Sequence, residues 1–324
     1  VTPGKALYLS QDDVAAVDLP MSEIVAALEE MFKEKGEGRT EMPPKPGIHP
    51  RPDAFIHAMP AYIPSLESAG MKWVAGNPAN PAKGIPYIMG LLVLNDPETG
   101  QPVAVMDCVW ITAKRTGAAT AVAAKYLARP DSATVGIVAC GVQGRSNLEA
   151  LCSVFAVEHV RAYDLHPEKA EEYAREMREK LGVPVETVNT PRAAVEDRDI
   201  VVTSGPILKH PEPTIPAGWL AEGGFACAVD YDSYWQGEAL RQADKLATDD
   251  LAQLEDHRRM GYFKDTPVPY ADLGEIAAGN KPARENERER IISLNLGLAL
   301  DDMATAVRIY RRALELGIGM ELSL

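Results

Sequence analysis

Residues 134–144 run Thr134-Val135-Gly136-Ile137-Val138-Ala139-Cys140-Gly141-Val142-Gln143-Gly144, an apolar stretch that ends in a glycine-containing turn. An apolar run this short and continuous suits a strand covered on both faces. After the turn come a helical run, Asn147 to Ala156, the short strand Val160 to Tyr163 and the helix Pro167 to Leu181. Further apolar runs follow at Ile200 to Thr203 and Phe225 to Val229. Strands that alternate with helices pair in parallel, because each crossover returns the chain to the same end of the sheet. The expected class is α/β, a Rossmann-type doubly wound parallel sheet.

The turn itself points to a ligand. Unpaired N–H groups and the dipole at a helix start favour anionic oxygens such as those of a pyrophosphate. Gly141 lets the backbone approach the phosphates, and Gly144 lets the helix pack close to the strand. Asp164 follows the next strand, about 20 residues after Gly144, where a carboxylate accepts hydrogen bonds from ribose hydroxyls and repels a 2′-phosphate. The expected cofactor is therefore NAD(H), with NADP(H) disfavoured. Ala139 stands where the full fingerprint has a glycine, and a slightly wider turn would accommodate its methyl group.

Before this unit the pattern is mixed α+β. Asp18 to Lys35 has helical spacing, with Gly36 placed as a C-cap. The proline-rich segment Met42 to Pro52 reads as an extended loop. Phe55 to Met59, Met71 to Ala75, Tyr87 to Leu94 and Pro102 to Met106 read as strands, and the Asn95–Gly100 turn makes the last two an antiparallel hairpin. Trp110 to Leu127 is an alanine-rich helix. In the final helix Leu296, Leu300, Met303, Val307, Tyr310 and Leu314 form one apolar stripe, suited to a core or to a partner subunit. Asp301, Asp302, Arg308, Arg311 and Arg312 fall on its other faces, and Gly317 ends it.

The 324 residues are 46% hydrophobic and 25% charged with a net charge of −14, as in a globular chain that repels nucleic acid and anionic lipid. No run approaches the ~20 apolar residues of a membrane span, and the start lacks a signal-peptide pattern, so the expected location is cytoplasmic with no membrane partner. Cys108, Cys140, Cys152 and Cys227 are scattered, as are the six histidines, and no metal is expected.

Polar groups inside apolar segments are the candidates for chemistry. Lys72, in Gly70-Met71-Lys72-Trp73-Val74-Ala75, needs an anion if buried, such as a substrate carboxylate; the alternative is the exposed face of an edge strand. Arg115 precedes a small-residue helix, where it could bridge cofactor phosphates and a substrate carboxylate, or form an interdomain salt bridge. Asp230 and Asp232 follow a parallel strand, where ligands bind in open α/β sheets, and two carboxylates at i, i+2 can raise one pKa into a useful range. An ordinary acidic loop is the other reading.

Met59-Pro60-Ala61-Tyr62, Met71-Lys72-Trp73-Val74, Arg115-Thr116-Gly117-Ala118-Ala119-Thr120-Ala121, Gly141-Val142-Gln143-Gly144-Arg145, Leu273-Gly274-Glu275-Ile276 and Gly297-Leu298-Ala299-Leu300-Asp301-Asp302 together resemble the ornithine cyclodeaminase/μ-crystallin family, from about Met42 onward. The resemblance implies a substrate-binding and dimerisation domain of residues 1–118 with 297–324, a Rossmann domain of residues 119–296, and a homodimer. It assigns Lys72, Arg115 and, in place of the family's arginine, Lys45 to the substrate carboxylate, with Leu296 beside the substrate. It places Arg115, Thr116, Gly141, Val142, Gln143, Gly144, Asp164, Ser204, Gly205, Val229 and Asn295 at the cofactor, and Asp232 at the catalytic aspartate, with Lys72 as its catalytic companion.

Two further departures make the site bulkier and less polar than in cyclodeaminases. Ser233-Tyr234-Trp235-Gln236 replaces a Cys-Pro-Gly-Lys-like continuation, and Leu294-Asn295-Leu296-Gly297 replaces an Asp-Ser-x-Gly pattern. The implied activity is an NAD(H)-dependent amino-acid dehydrogenase or imine reductase acting on a small amino or imino acid. An ammonia lyase with recycled NAD and a non-enzymatic dinucleotide binder are the alternatives.

Overall fold

The computed structural model describes residues 4–51 and 54–324, so Pro52, the last residue of the expected proline-rich loop, lies outside the described residues. The chain divides into two compact units, Val1–Arg115 with Leu298–Leu324, and Thr116–Gly297.

In the second unit eight strands form one all-parallel sheet in the spatial order Ala271–Asp272, Lys245–Thr248, Ile291–Leu294, Phe225–Ala228, Ile200–Thr203, Thr134–Val138, His159–Tyr163, Val185–Thr187. Ile200–Thr203, Phe225–Ala228 and Ile291–Leu294 are buried at every position, which accounts for their unbroken hydrophobicity. From Thr134–Val138 the chain winds outward to Val185–Thr187, then returns to lay Ile200–Thr203 on the opposite side, with Thr203 in register with Val138. The carboxyl ends of these two strands form the topological switch point, the place where open α/β sheets take ligands.

The helix after the first strand spans Val142–Cys152, starting earlier and ending earlier than its apolar spacing suggests. Val142, Gln143 and Gly144 are its first turn, which the glycine hides from any periodicity. A Cβ on Gly144 would meet the Ala139 carbonyl oxygen at 2.7 Å, so this close approach requires glycine. Ala139 itself has φ +76°. The methyl group is thus held by a left-handed backbone and not by a wider turn.

The first unit is a seven-stranded sheet in the order Met320–Ser323, Lys5–Leu9, Pro102–Asp107, Ile88–Asn95, Ser68–Gly76, Phe55–Ile63, Gly47–Ile48. It is antiparallel except where Lys5–Leu9 runs parallel to Pro102–Asp107. The helix Ala299–Leu316 packs on the strands Phe55–Ile63 and Ser68–Gly76 and on the helix Met21–Gly36. Gly317 closes it at φ +66°, whereas Gly36 is still helical and Gly38, at φ +72°, takes the left-handed position after it. Among the described residues no helix is long and apolar enough to cross a membrane.

The left-handed Ala139 yields a test. Its Cβ costs about 1–2 kcal/mol there, and a glycine gives back about 0.5–1 kcal/mol through the freer unfolded chain. Ala139→Gly should therefore stabilise the protein by about 0–1.5 kcal/mol in urea unfolding. A loss of stability would show that the alanine is unstrained.

Candidate active site and cofactor site

The switch point is built from short polar contacts within the second unit. Asp164 Oδ2 accepts from the Cys140 amide at 2.8 Å and Oδ1 from the His166 amide at 3.0 Å, which fixes the carboxylate beside the glycine turn. Ser204 Oγ donates to the Ala139 carbonyl at 2.8 Å, joining the two strand ends. The Arg145 guanidinium bonds the Cys140 carbonyl and pairs with Glu176 at 2.6 Å. A Cβ on Gly141 would meet nothing within 4 Å, so the protein leaves room at this turn. A pyrophosphate fits such a place, over the first amides of an eleven-residue helix. Gly117 packs against the Ser146 carbonyl, so Thr116 starts a segment whose small residues serve helix–helix contact.

At the next strand end Asp230 is fully buried, accepting from Thr203 Oγ1 at 2.8 Å and from the Gly205 amide at 2.9 Å. Burial pushes its pKa up to about 7 against those two bonds. Asp232 faces elsewhere. It accepts from the Phe263 amide and lies 3.5 Å from Thr266 Oγ1, while its Oδ1 is buried without a hydrogen-bond partner. Burial raises its pKa as well. The two carboxylates therefore do not share one environment.

Trp235 is buried and donates from Nε1 to Thr203 Oγ1 at 3.3 Å, so it braces Asp230 from the core. Tyr234 is half-buried with its ring against Gly205, and burial raises its phenol to about 12. Val229 extends the strand through its amide to the Thr203 carbonyl. Asn295 closes the neighbouring strand end with a buried, unpartnered Nδ2, and Leu296 is buried in the apolar core.

In the first unit, strand alternation turns Trp73 outward at 45% exposure and Lys72 inward at 1%. The strand Ser68–Gly76 lies between two others, which excludes an exposed edge position for Lys72. Its partner is Asp302, with Nζ to Oδ2 at 2.6 Å and both side chains buried. Arg115 joins them, with Nε 3.2 Å from Asp302 Oδ1 and Nη1 3.5 Å from Asp301 Oδ2. Asp301 Oδ2 also accepts from the Leu298 amide at 3.0 Å, capping the helix start. Burial pulls the Lys72 pKa down while Asp302 opposes it. Burial also raises the Cys108 thiol to about 11, so it adds no charge.

Asp301 and Asp302 are fully buried, not on a solvated face, and sequence spacing missed them. Two adjacent acids in the first turn of an apolar helix, set against two unmatched cations elsewhere, were the available signal. Lys45 is half-buried on the segment leading into Gly47–Ile48. Among the described residues no group of three potential ligands could hold a metal ion.

The model of the ornithine cyclodeaminase/mu-crystallin family matches residues 5–317, and the chain belongs to that family. A curated relative, the alanine dehydrogenase of Archaeoglobus fulgidus, is 35% identical over 98% of each chain. Among solved structures, the Thermococcus litoralis Delta(1)-pyrroline-2-carboxylate reductase in complex with NADH and L-proline is 36% identical, covering 97% of this chain and 99% of the other at a TM-score of 0.88. An archaeal alanine dehydrogenase dimer with bound NAD is 34% identical, covering 98% and 99% at a TM-score of 0.87.

The buried cluster can be probed by stability alone. Asp302→Asn leaves two buried cations under-neutralised and should cost about 3–5 kcal/mol in urea unfolding. Adding Lys72→Met should recover some of the loss. A single-variant loss below about 0.5 kcal/mol, the range of an ordinary surface substitution, would show that Asp302 is not their counter-ion.

Proposed function

We propose that this chain is an NAD(H)-dependent oxidoreductase that interconverts a small amino acid and its imine, as an amino-acid dehydrogenase or imine reductase. The observation that carries this is the glycine turn at the switch point with Asp164 bonded across it, in a chain whose relatives over nearly their whole length hold NADH or NAD. NAD(H) is the cofactor, because Asp164 suits ribose hydroxyls and opposes a 2′-phosphate.

Bound NAD(H) supplies or accepts the hydride at the substrate α-carbon. The protein's share is orientation and protons. Lys72 and Arg115 are the cations for a substrate carboxylate, which shares them with Asp302. Two cations and two carboxylates sum to zero wherever the proton between Lys72 and Asp302 sits. A ligand with one carboxylate and one protonated amino or imino nitrogen keeps that balance, and a second anionic group would upset it. Asp232 is assigned to exchange the proton of the amine or of a water, a role supported by its raised pKa and its buried oxygen without a hydrogen-bond partner. The relatives named for alanine and for pyrroline-2-carboxylate support substrates of this size.

The test is a panel of amino, imino and keto acids assayed in both directions, following NADH absorbance and ammonia together. Pyruvate with ammonium and Δ1-pyrroline-2-carboxylate head the panel. The expected result is NADH-coupled turnover that Lys72→Met abolishes while NADH binding persists. Ammonia released without net change in NADH would replace this assignment with a lyase. Saturable NADH binding with no turnover would replace it with a binding protein.

A homodimer belongs to the same proposal. Trp73 stands opposite Leu91 on the outer face of the first unit's sheet, each 45% exposed, with Met89 at 41% beside them. Such a continuous apolar face suits a second copy of the chain, and one relative is a dimer. Sedimentation should give a dimer for the native chain and a monomer for Trp73→Asp. A native monomer would overturn it.

A further inference from the structure

Tyr231 separates the two aspartates and has φ +64°, a conformation in which a Cβ crowds the following carbonyl. Strain of this kind persists only where the surroundings over-determine it. Here the ring is buried, edge-on to His257 at 5.1 Å and to Tyr262 at 5.6 Å, and tilted against Phe263 at 5.0 Å. Its hydroxyl lies 2.9 Å from His257 Nε2, and His257 Nδ1 lies 2.7 Å from the Gln253 carbonyl within the helix Leu251–Arg259. A carbonyl only accepts, so Nδ1 carries a proton, and in the neutral imidazole Nε2 then offers a lone pair. The Tyr231 hydroxyl is therefore the donor, and the chain of bonds has one direction.

The left-handed residue has a geometric effect. In extended backbone, residues i and i+2 point to the same side. Tyr231 breaks that rule, sending Asp230 to Thr203 and Gly205 and Asp232 to Phe263 and Thr266. Phe263 also packs on the Tyr231 ring, so the donor to Asp232 and the clamp on Tyr231 are one structure.

We propose that the Tyr231–His257 hydrogen bond positions Asp232, making Tyr231 and His257 positioning residues for its proton transfer. This rests on the role given to Asp232 above. The experiment measures kcat and KM on Δ1-pyrroline-2-carboxylate and on pyruvate with ammonium, with NADH affinity by fluorescence, in the full chain. Tyr231→Phe keeps the ring and removes the donor. Displacing a catalytic group by an ångström costs on the order of 100-fold, so kcat should fall at least about tenfold. KM and NADH affinity should stay within about twofold. His257→Gln, which still offers an acceptor, should keep most of the native kcat, and His257→Leu should match Tyr231→Phe.

Native kcat in Tyr231→Phe overturns the proposal, as do equal losses in the two His257 variants or a kcat loss matched by lost NADH affinity. Asp232→Asn in the same assay separates the two levels. An inactive Asp232→Asn beside a fully active Tyr231→Phe removes only the clamp. An active Asp232→Asn, or no turnover by the native chain, removes the underlying assignment too.

Discussion

Taking a charge out of water costs several kcal/mol per ion, and the first unit is organised around that constraint. Lys72 and Asp302 can enter the core only together, so the strand Ser68–Gly76 and the helix Ala299–Leu316 must dock in the one arrangement that brings them to 2.6 Å. A slip of one residue along the strand would put Lys72 on the outer face and Trp73 on the inner one. One residue along the helix would turn Asp302 by about 100°. The ion pair thus selects a register that hydrophobic burial alone would leave loose, and the same register brings Arg115 to Asp301 and Asp302.

Two of the four non-glycine residues at positive φ among the described residues of the second unit lie just beyond strand ends. Ala139 and Tyr231, both at positive φ, follow the parallel strands Thr134–Val138 and Phe225–Ala228. Each turns the chain sharply just beyond the sheet, one to present helix amides and the other to send Asp230 and Asp232 in different directions. Glycine would meet the backbone demand at both places. At 231 a ring is also required, because its packing and its hydrogen bond hold the turn; at 139 the sequence carries a methyl group with a conformational cost.

Much of this was legible in the residues. Strands buried on both faces announce themselves as unbroken apolar runs, and Thr134–Val138, Ile200–Thr203 and Phe225–Ala228 were found that way. Ile291–Leu294 was missed because it directly follows a charged run, and Lys245–Thr248 because it opens on a lysine. Lys5–Leu9 and Met320–Ser323 are short and pair with distant partners. Lys72 and Arg115 stood out as cations in apolar surroundings. Their partners did not, since a periodicity argument treats any aspartate on a helix as solvated, and only tertiary packing buries it. Tyr231 and His257 left no sequence signal at all, because the bond between them depends on where the helix Leu251–Arg259 lies.

The first unit is assembled from two separate segments, with the second unit wholly inserted between them. On the ribosome this imposes an order. Residues 116–297 are contiguous and emerge complete, whereas Lys72 and Arg115 are made before them and wait for Asp301 and Asp302, which are made after them. Until then Lys72, on the core face of the five strands from Gly47–Ile48 to Pro102–Asp107, and Arg115, on the helix Val109–Leu127 that follows them, lack these counter-ions. That unneutralised charge keeps the face hydrated and discourages it from collapsing on itself or on a neighbouring nascent chain. The late helix then brings the apolar cover and the counter-ions in a single step.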